Sequence, residues 1–557
     1  MKLSYKLLTI SLVVGAILRL IYLGSIPVGF TPDEASQGYT AYSILKTGRD
    51  EWGNFLPLSS FKSFLDYKAP LQTYLMVPAI AVFGLNEFSV RLPSAVFGIL
   101  SIYALYLLCQ KLFPKHPKIA GLAALLLAIS PWHIQFSRMA LEVNLTSLLI
   151  PLGLYLFLKG EEDEKFYIFS LTSFGIGLYA YHASRLFIPL FGLFLILNSF
   201  KNIKKISLNR FLTLIFVTAI FIAPIATDMI FGVSSKRGAD VMITKMDRGR
   251  IQSISNAAYF SDLKSVNPIL PRVFHNKLTS LASQFVENYL SYFSLPFWFT
   301  EGGREITYSI IPGRGLLHFW VLPLVLTGIY LLLSNKELSK SAKILIFWGL
   351  IAAIPAALTK EGYRPNRAGS FLVYWELIAA IGLYFILEAK FKFKKLFFSA
   401  FFGLSVLLTI FYFEDYFFNS KVTYPRAMAY GWRDVVKFVS GIENNYEQVM
   451  VDKGTQSQSF FAFYQKTDPV KFQNESSNWQ KKLDSQPVAY LDQLDQYSLG
   501  KYNFQHLNWP DDRSTKALFV YQGNSGGYES LPGDRRKLFQ ITEPLGSIII
   551  EVFDFPK

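Results

Sequence analysis

Hydrophobic runs of bilayer-spanning length recur near residues 7–28, 92–112, 118–135, 141–158, 166–181, 186–200, 210–231, 315–334, 343–358, 370–388 and 396–413. A membrane-spanning helix needs roughly 20 predominantly apolar residues. Eleven such runs therefore require lipid as part of the folding solvent. Composition agrees: the 557 residues are 51% hydrophobic, 16% aromatic and only 17% charged, which excludes an ordinary soluble domain and a disordered polymer. The single cysteine, Cys109, lies inside an apolar run, so an intramolecular disulfide and a cysteine-based metal cluster are both excluded.

A net charge of +15 invites a nucleic-acid partner, but its distribution argues against one. Of 55 Lys+Arg and 40 Asp+Glu, the last 144 residues hold 16 and 18, leaving 39 and 22 for the first 413. The positive excess belongs to the apolar part, in short clusters between hydrophobic runs where the positive-inside rule expects cytoplasmic loops. Lys2 and Lys6 put the N-terminus inside, and the first run lacks a small-residue cleavage site, as in a retained anchor. Alternation then places Lys115/Lys118, the 161–165 segment, Lys201/Lys204/Lys205, Lys336/Lys340/Lys343 and Lys390–Lys395 in the cytoplasm. This requires Leu71–Gly84, about 14 residues with Pro78 inside, to be interfacial or re-entrant. Residues 29–91 then form one long outer loop.

From residue 414 the apolar runs shorten. Strand-like stretches at Gln448–Asp452, Ala517–Tyr521 and Ser547–Phe553 alternate with helix-like ones at Gly431–Val439 and Gln458–Gln465. The expected organisation is a polytopic α-helical membrane domain over 1–413, with about 11 transmembrane helices, followed by a soluble extracytoplasmic α/β domain over 414–557.

Charges at the outer helix ends are few and therefore informative. The first outer loop opens Thr31-Pro32-Asp33-Glu34. One interpretation is an N-cap with an acidic first turn; the other is a carboxylate acting as general base or metal ligand. In Asp66-Tyr67-Lys68-Ala69-Pro70-Leu71 the lysine either snorkels to headgroups or holds a phosphate. Arg91 opens a span as a structural helix-end residue or a ligand. Arg138 and Glu142 share a face if that segment is helical. Tyr181, His182 and Arg185 mark another outer helix end, and Arg364 and Arg367 a further one. Tyr289, Tyr292, Trp298 and Arg304 could cover a site, but the tyrosines and the tryptophan suit an aromatic belt better. Carboxylates beside several cations suit a substrate carrying a phosphate and a hydroxyl to be deprotonated.

With these marks, the chain resembles the membrane glycosyltransferases of the GT-C fold, in the bacterial branch akin to protein O-mannosyltransferases and lipid A aminoarabinose transferases. The motifs are Asp33-Glu34, Lys68-Ala69-Pro70-Leu71 (similar to Lys-Pro-Pro-Leu), Arg91-Leu92-Pro93-Ser94, Ser137-Arg138 with Glu142, and Tyr181-His182 with Arg185. The resemblance implies a polyprenyl-phosphate sugar as donor and inverting transfer of one hexosyl or pentosyl unit at the extracytoplasmic face. Its acceptor is a hydroxyl on a protein, lipid or glycan.

It further implies Asp33, with Glu34, as the catalytic carboxylates and Lys68, Arg138 and Arg185 on the donor phosphate. Arg91, Glu142, His182 and Tyr181 are further site candidates. Ala69 departs from the proline of the motif, and Tyr67 stands where the aminoarabinose transferases carry a Glu, so a divalent metal stays an open question. The expected location is the plasma membrane, multi-pass, with membrane lipids and the lipid-linked sugar as partners and no nucleic acid. The competing function is a transporter or flippase of lipid-linked sugars. That class places its polar residues at the midplane and shows repeat symmetry, and neither feature is legible here.

Overall fold

The computed structural model describes residues 2–64, 67–231, 242–263, 269–309, 311, 313–423, 425–454, 456–486, 488, 490–507, 516–523, 531–544 and 546–555. Asp66 of the lysine motif lies outside the described residues.

Each of the eleven apolar runs contains a helix. Among the described residues six helices are long and apolar enough to cross a membrane alone: Lys2–Leu20, Glu87–Leu112, Glu142–Gly160, Leu208–Ile230, Lys336–Ala357 and Lys394–Asn419. The count rises to eight if two bent pairs are each one span, Lys118–Ala128 with Pro131–Arg138 (58°) and Pro365–Phe371 with Tyr374–Glu388 (51°). The remaining runs form shorter helices such as Lys165–Gly177, Ser184–Asn198 and Phe319–Ser334. At 1.5 Å per residue these reach roughly 20–24 Å, short of a hydrocarbon core of about 30 Å. The helix Pro70–Phe83, 14 residues long, also falls short. The chain is thus multi-pass, with six to eight candidate spans among the described residues beside the eleven expected.

The chain divides into two compact units: residues 1–14, 100–133 and 146–405 in the first, and 15–99, 134–145 and 406–557 in the second. In the first, helices approach through small residues. A Cβ on Gly328 would lie 2.1 Å from the Ile378 carbonyl oxygen, and one on Gly382 2.0 Å from that of Leu324, so only glycine permits this backbone spacing. Tyr292 and Trp298 are fully buried, and the Trp298 indole N–H donates to the Tyr292 carbonyl (2.7 Å). They belong to the protein interior, which corrects the aromatic-belt expectation for these two residues.

The second unit combines the first outer loop with the C-terminal tail. A short antiparallel pair, β1 (Phe61–Lys62) and β2 (Tyr67–Lys68), leads into Pro70–Phe83. The tail builds a sheet of β3 (Gln448–Asp452), β4 (Gln496–Leu499), β5 (Tyr502–Gln505), β6 (Ala517–Gln522), β7 (Arg536–Thr542) and β8 (Ile548–Asp554), ordered β4-β5-β3-β6-β8-β7. β3 runs parallel to β5 and β6, and the other pairs are antiparallel. Helices Trp432–Ile442, Ser457–Tyr464 and Pro469–Asp484 accompany the sheet, so the three strand-like and two helix-like stretches take their expected forms. Loop and tail share one apolar core. Phe30 packs on Phe463 (centroids 4.8 Å), Tyr39 on Phe472 (4.9 Å) and Trp52 on Trp479 (6.1 Å). Aromatic rings contribute large buried area, and here the contacts fix the loop backbone.

Candidate active site

The helix Pro32–Thr47 starts just before Asp33 for a local reason. Thr31 is its N-cap, the Thr31 side chain accepts from the Glu34 N–H, and the Glu34 carboxylate accepts from the Thr31 N–H (3.0 Å), a reciprocal capping box with Pro32 at the first helical position. Gly48, at φ 69°, closes the helix in the left-handed conformation that glycine adopts without steric cost. Asp33 therefore stands in the first turn, where the positive end of the helix dipole favours a carboxylate. Its Oδ1 lies 2.7 Å from the Lys68 ammonium at the end of β2, with both side chains partly open to solvent (Asp33 25%, Lys68 11%).

Glu34 is committed elsewhere. Its carboxylate receives Arg91 Nε (2.7 Å) and Nη2 (3.2 Å) together with the Ala140 N–H (3.2 Å), and neither charged side chain is exposed. The remaining Arg91 donors go to the carbonyls of Leu23, Pro27 and Gly29. All five N–H groups of a planar fork are thereby satisfied, the condition under which a buried charge pair is tolerated. Arg138 does similar work. Its Nη1 donates to the Leu18 carbonyl (2.7 Å) and its Nη2 to those of Ile21 (2.6 Å) and Ile26 (2.9 Å). Two buried arginines thus clamp the carbonyls of residues 18–29, the segment that delivers the chain to Asp33.

The helix carrying Arg138 ends there, and Glu142 begins a separate 3-10 turn, Glu142–Leu145, so the uninterrupted i,i+4 face considered above does not form. Glu142 Oε2 instead accepts the Ala69 N–H (3.2 Å), fixing the backbone next to Lys68. Asn144 donates to the Ser94 carbonyl (2.8 Å) and hydroxyl (3.0 Å), and Ser94 donates to the Phe136 carbonyl (3.1 Å). A Cβ on Gly98 would meet Ser137 Oγ at 2.1 Å. The 33–34, 68–69, 91–94 and 136–144 motifs are consequently one hydrogen-bonded assembly within the second unit.

Tyr181, His182 and Arg185 lie in the first unit, in and just after the turn between Lys165–Gly177 and Ser184–Asn198, where Arg185 Nε donates to the Leu178 carbonyl (3.2 Å). Arg364 pairs with Glu305 and Glu361 in that same unit.

Three residues escaped the sequence analysis. Gln72, wholly buried, has neither amide atom hydrogen-bonded, and buried Gln37 Oε1 and Thr73 Oγ1 also lack partners. Gln37 is one turn beyond Asp33, and Gln72 is in the first turn of the helix that follows Lys68. For the two amides the signal was spacing, since Gln37 and Gln72 each lie four residues after a charged candidate, Asp33 and Lys68; nothing comparable marks Thr73.

No group of three or more His, Cys, Asp or Glu among the described residues could hold a metal ion.

Architecture and site together define a membrane protein with the fold of the GT-C glycosyltransferases. Residues 67–227 match the family model described as dolichyl-phosphate-mannose-protein mannosyltransferase. The structure is similar to that of ArnT from Cupriavidus metallidurans in the apo state, with 10% identity, 99% of each chain covered and a TM-score of 0.53. It also matches the apo Archaeoglobus fulgidus oligosaccharyltransferase, with 14% identity, 83% of this chain covered and a TM-score of 0.46; this chain spans 63% of that protein's length. The C. metallidurans ArnT bound to undecaprenyl phosphate matches at 10% identity and a TM-score of 0.43, covering 86% of this chain and 72% of that one. No curated protein sequence matches the chain.

Proposed function

We propose that this protein transfers a single sugar from a polyprenyl-phosphate donor to an acceptor hydroxyl, with inversion, at the outer face of the plasma membrane. The observation that carries this is the Asp33–Lys68 pair at 2.7 Å, a carboxylate and an ammonium held together by buried clamps in a glycosyltransferase fold. A partly exposed ion pair contributes only about 0–1 kcal/mol to stability. Such a pair is a weak reason to build so much scaffolding around it.

In this mechanism an incoming phosphate takes Lys68 as its counter-ion, and the Asp33 oxygen so released accepts the proton of the acceptor hydroxyl. The oxygen attacks the anomeric carbon, the bond to phosphate breaks, and the leaving charge stays on the phosphate beside the ammonium. The geometry parallels the base half of inverting glycosidases. Glu34, Arg91, Arg138 and Glu142 act as positioning residues, while Gln37, Gln72 and Thr73 meet substrate hydroxyls with their otherwise unpaired groups. Arg185 as a donor-phosphate ligand, with His182 and Tyr181 beside it in sequence, rests on the resemblance alone. The N-terminus is cytoplasmic, and residues 414–557 form an extracytoplasmic α/β domain after a membrane domain of 1–413.

The deciding test is mass spectrometry of glycolipids and glycans from cells with the wild-type chain and with Asp33→Asn. Loss of one sugar class in the variant is expected. An unchanged profile from a well-folded variant rejects Asp33 as base, and accumulation of lipid-linked sugar on the inner leaflet alone would favour a flippase.

A further inference from the structure

The C-terminal tail is slightly acidic as a whole, with 16 Lys+Arg against 18 Asp+Glu in residues 414–557, yet it lines a cavity of about 940 Å³ with five cations, Arg433, Lys437, Lys466, Lys471 and Lys501. Only Glu443 and Asp468 oppose them on that lining. Lys501 Nζ donates to the Glu443 carbonyl (2.7 Å), and Arg433 is shared with Glu87 (3.5 Å) and Asp434 (4.0 Å). The ammonium groups of Lys437, Lys466 and Lys471 have no hydrogen-bond or ion-pair partner among the described residues. Lys437, Lys466 and Lys471 are exposed residues on one concavity, and like charges gathered there give it a positive potential that favours an anion.

Lys466 adds a second, independent sign. It follows the helix Ser457–Tyr464 at φ +52°, the left-handed position where helices ordinarily end in glycine or asparagine. A Cβ there carries a steric penalty that glycine would not, so the lysine is not the residue this backbone position favours. The same turn forms the wall of the cavity and is anchored to the loop elements of its own unit. Tyr39 Oη donates to the Thr467 carbonyl (2.9 Å), and Tyr464 Oη donates to Glu87 Oε1 (3.0 Å). Tyr39 is on the helix that carries Asp33, and Glu87 opens the helix that carries Arg91.

We propose that this groove is a binding site for a clustered-phosphate group, one bearing two or more phosphates, distinct from the Asp33–Lys68 pair. Three free ammonium groups suit several phosphate oxygens better than a single carboxylate, and the volume suits a headgroup or sugar-sized ligand. The inference rests on charge and backbone geometry in the tail and is independent of the role given to Asp33.

The test uses the full chain purified in neutral detergent, with isothermal titration of tripolyphosphate in one arm and of diphosphatidylglycerol in mixed micelles in the other. Wild type should bind at least one probe, and Lys437→Gln/Lys466→Gln/Lys471→Gln should weaken that binding by about tenfold or more. Tripolyphosphate binding alone identifies a soluble source of the phosphates, and micelle binding identifies a lipid one. Lys466→Gly, which removes the charge and suits the left-handed backbone, should weaken binding while leaving the melting temperature unchanged or higher. The control Lys481→Gln/Lys482→Gln, which removes two exposed charges outside the groove, should bind as wild type. No binding of either probe by wild type, unchanged binding by the triple variant, or an equal loss in the control would overturn the proposal.

Discussion

Arg91 and Glu34, 57 residues apart in sequence, meet through two hydrogen bonds of 2.7 and 3.2 Å in a place no solvent reaches. The same guanidinium closes onto three carbonyls of the preceding loop, so one side chain fixes both the start of the Pro32–Thr47 helix and the path of the chain into it. Arg91→Ala strands a buried carboxylate and should destabilise the protein by about 3–5 kcal/mol. Thermal unfolding in detergent checks this, and a shift within error of wild type would show that the pair is not needed for the fold.

Asp33→Asn preserves shape at a partly exposed position, so its melting temperature should stay near that of wild type while sugar transfer falls by about 10²–10⁴-fold. Transfer from a polyprenyl-phosphate sugar to acceptor, measured beside a melt of the same preparation, separates chemistry from folding.

Gln72→Leu sets the two effects against each other. Removing an unsatisfied buried amide should raise stability by about 1–3 kcal/mol, while the loss of hydroxyl contacts should depress transfer. A variant that gains stability and keeps full activity would make Gln72 a mere packing residue.

Glu51, in the outer loop, is buried with the hydroxyls of Thr40 and Ser36 directed at it, and desolvation holds its carboxyl well above the ordinary glutamate range. The native state therefore binds a proton that the unfolded chain gives up. That contribution is complete below the ordinary glutamate pKa and declines as pH rises through the raised native value. Glu51→Gln mimics the protonated form, so its stability should lose this fall with rising pH; matching pH profiles of stability for variant and wild type would contradict it.

Topology is open to labelling because the only native thiol, Cys109, is buried. The outer-loop positions Glu34, Ser137 and Ser184 are buried as well, so exposed neighbours are needed. Arg49→Cys and Lys471→Cys should react with an impermeant maleimide in intact cells, and Lys204→Cys and Lys336→Cys only after permeabilisation. Any exchange between the two groups would reverse the proposed orientation.

The sequence was most legible where structure is local. Thr31, Pro32 and Glu34 announce a helix start because capping partners are three residues apart, and the tail's alternating stretches announce their strands. It was least legible where long side chains choose distant partners. Arg138 looked like a phosphate ligand because it is a charge at the end of an apolar run, but carbonyls 112 to 120 residues away take it up. Trp298 looked interfacial by composition, and only tertiary packing buries it. Hydropathy reports apolar length and not helix continuity, so the eleven runs stand beside six to eight helices long and apolar enough to span among the described residues.

Phe463 and Trp479 reach back to Phe30 and Trp52, so ending the chain at residue 413 would strip these ring contacts from the loop that carries Asp33. Attempts to express the helical portion alone should therefore give material that inserts into lipid yet misplaces its proton acceptor. Grafting the tail of a distant homologue would meet the same obstacle unless those four rings were matched in size.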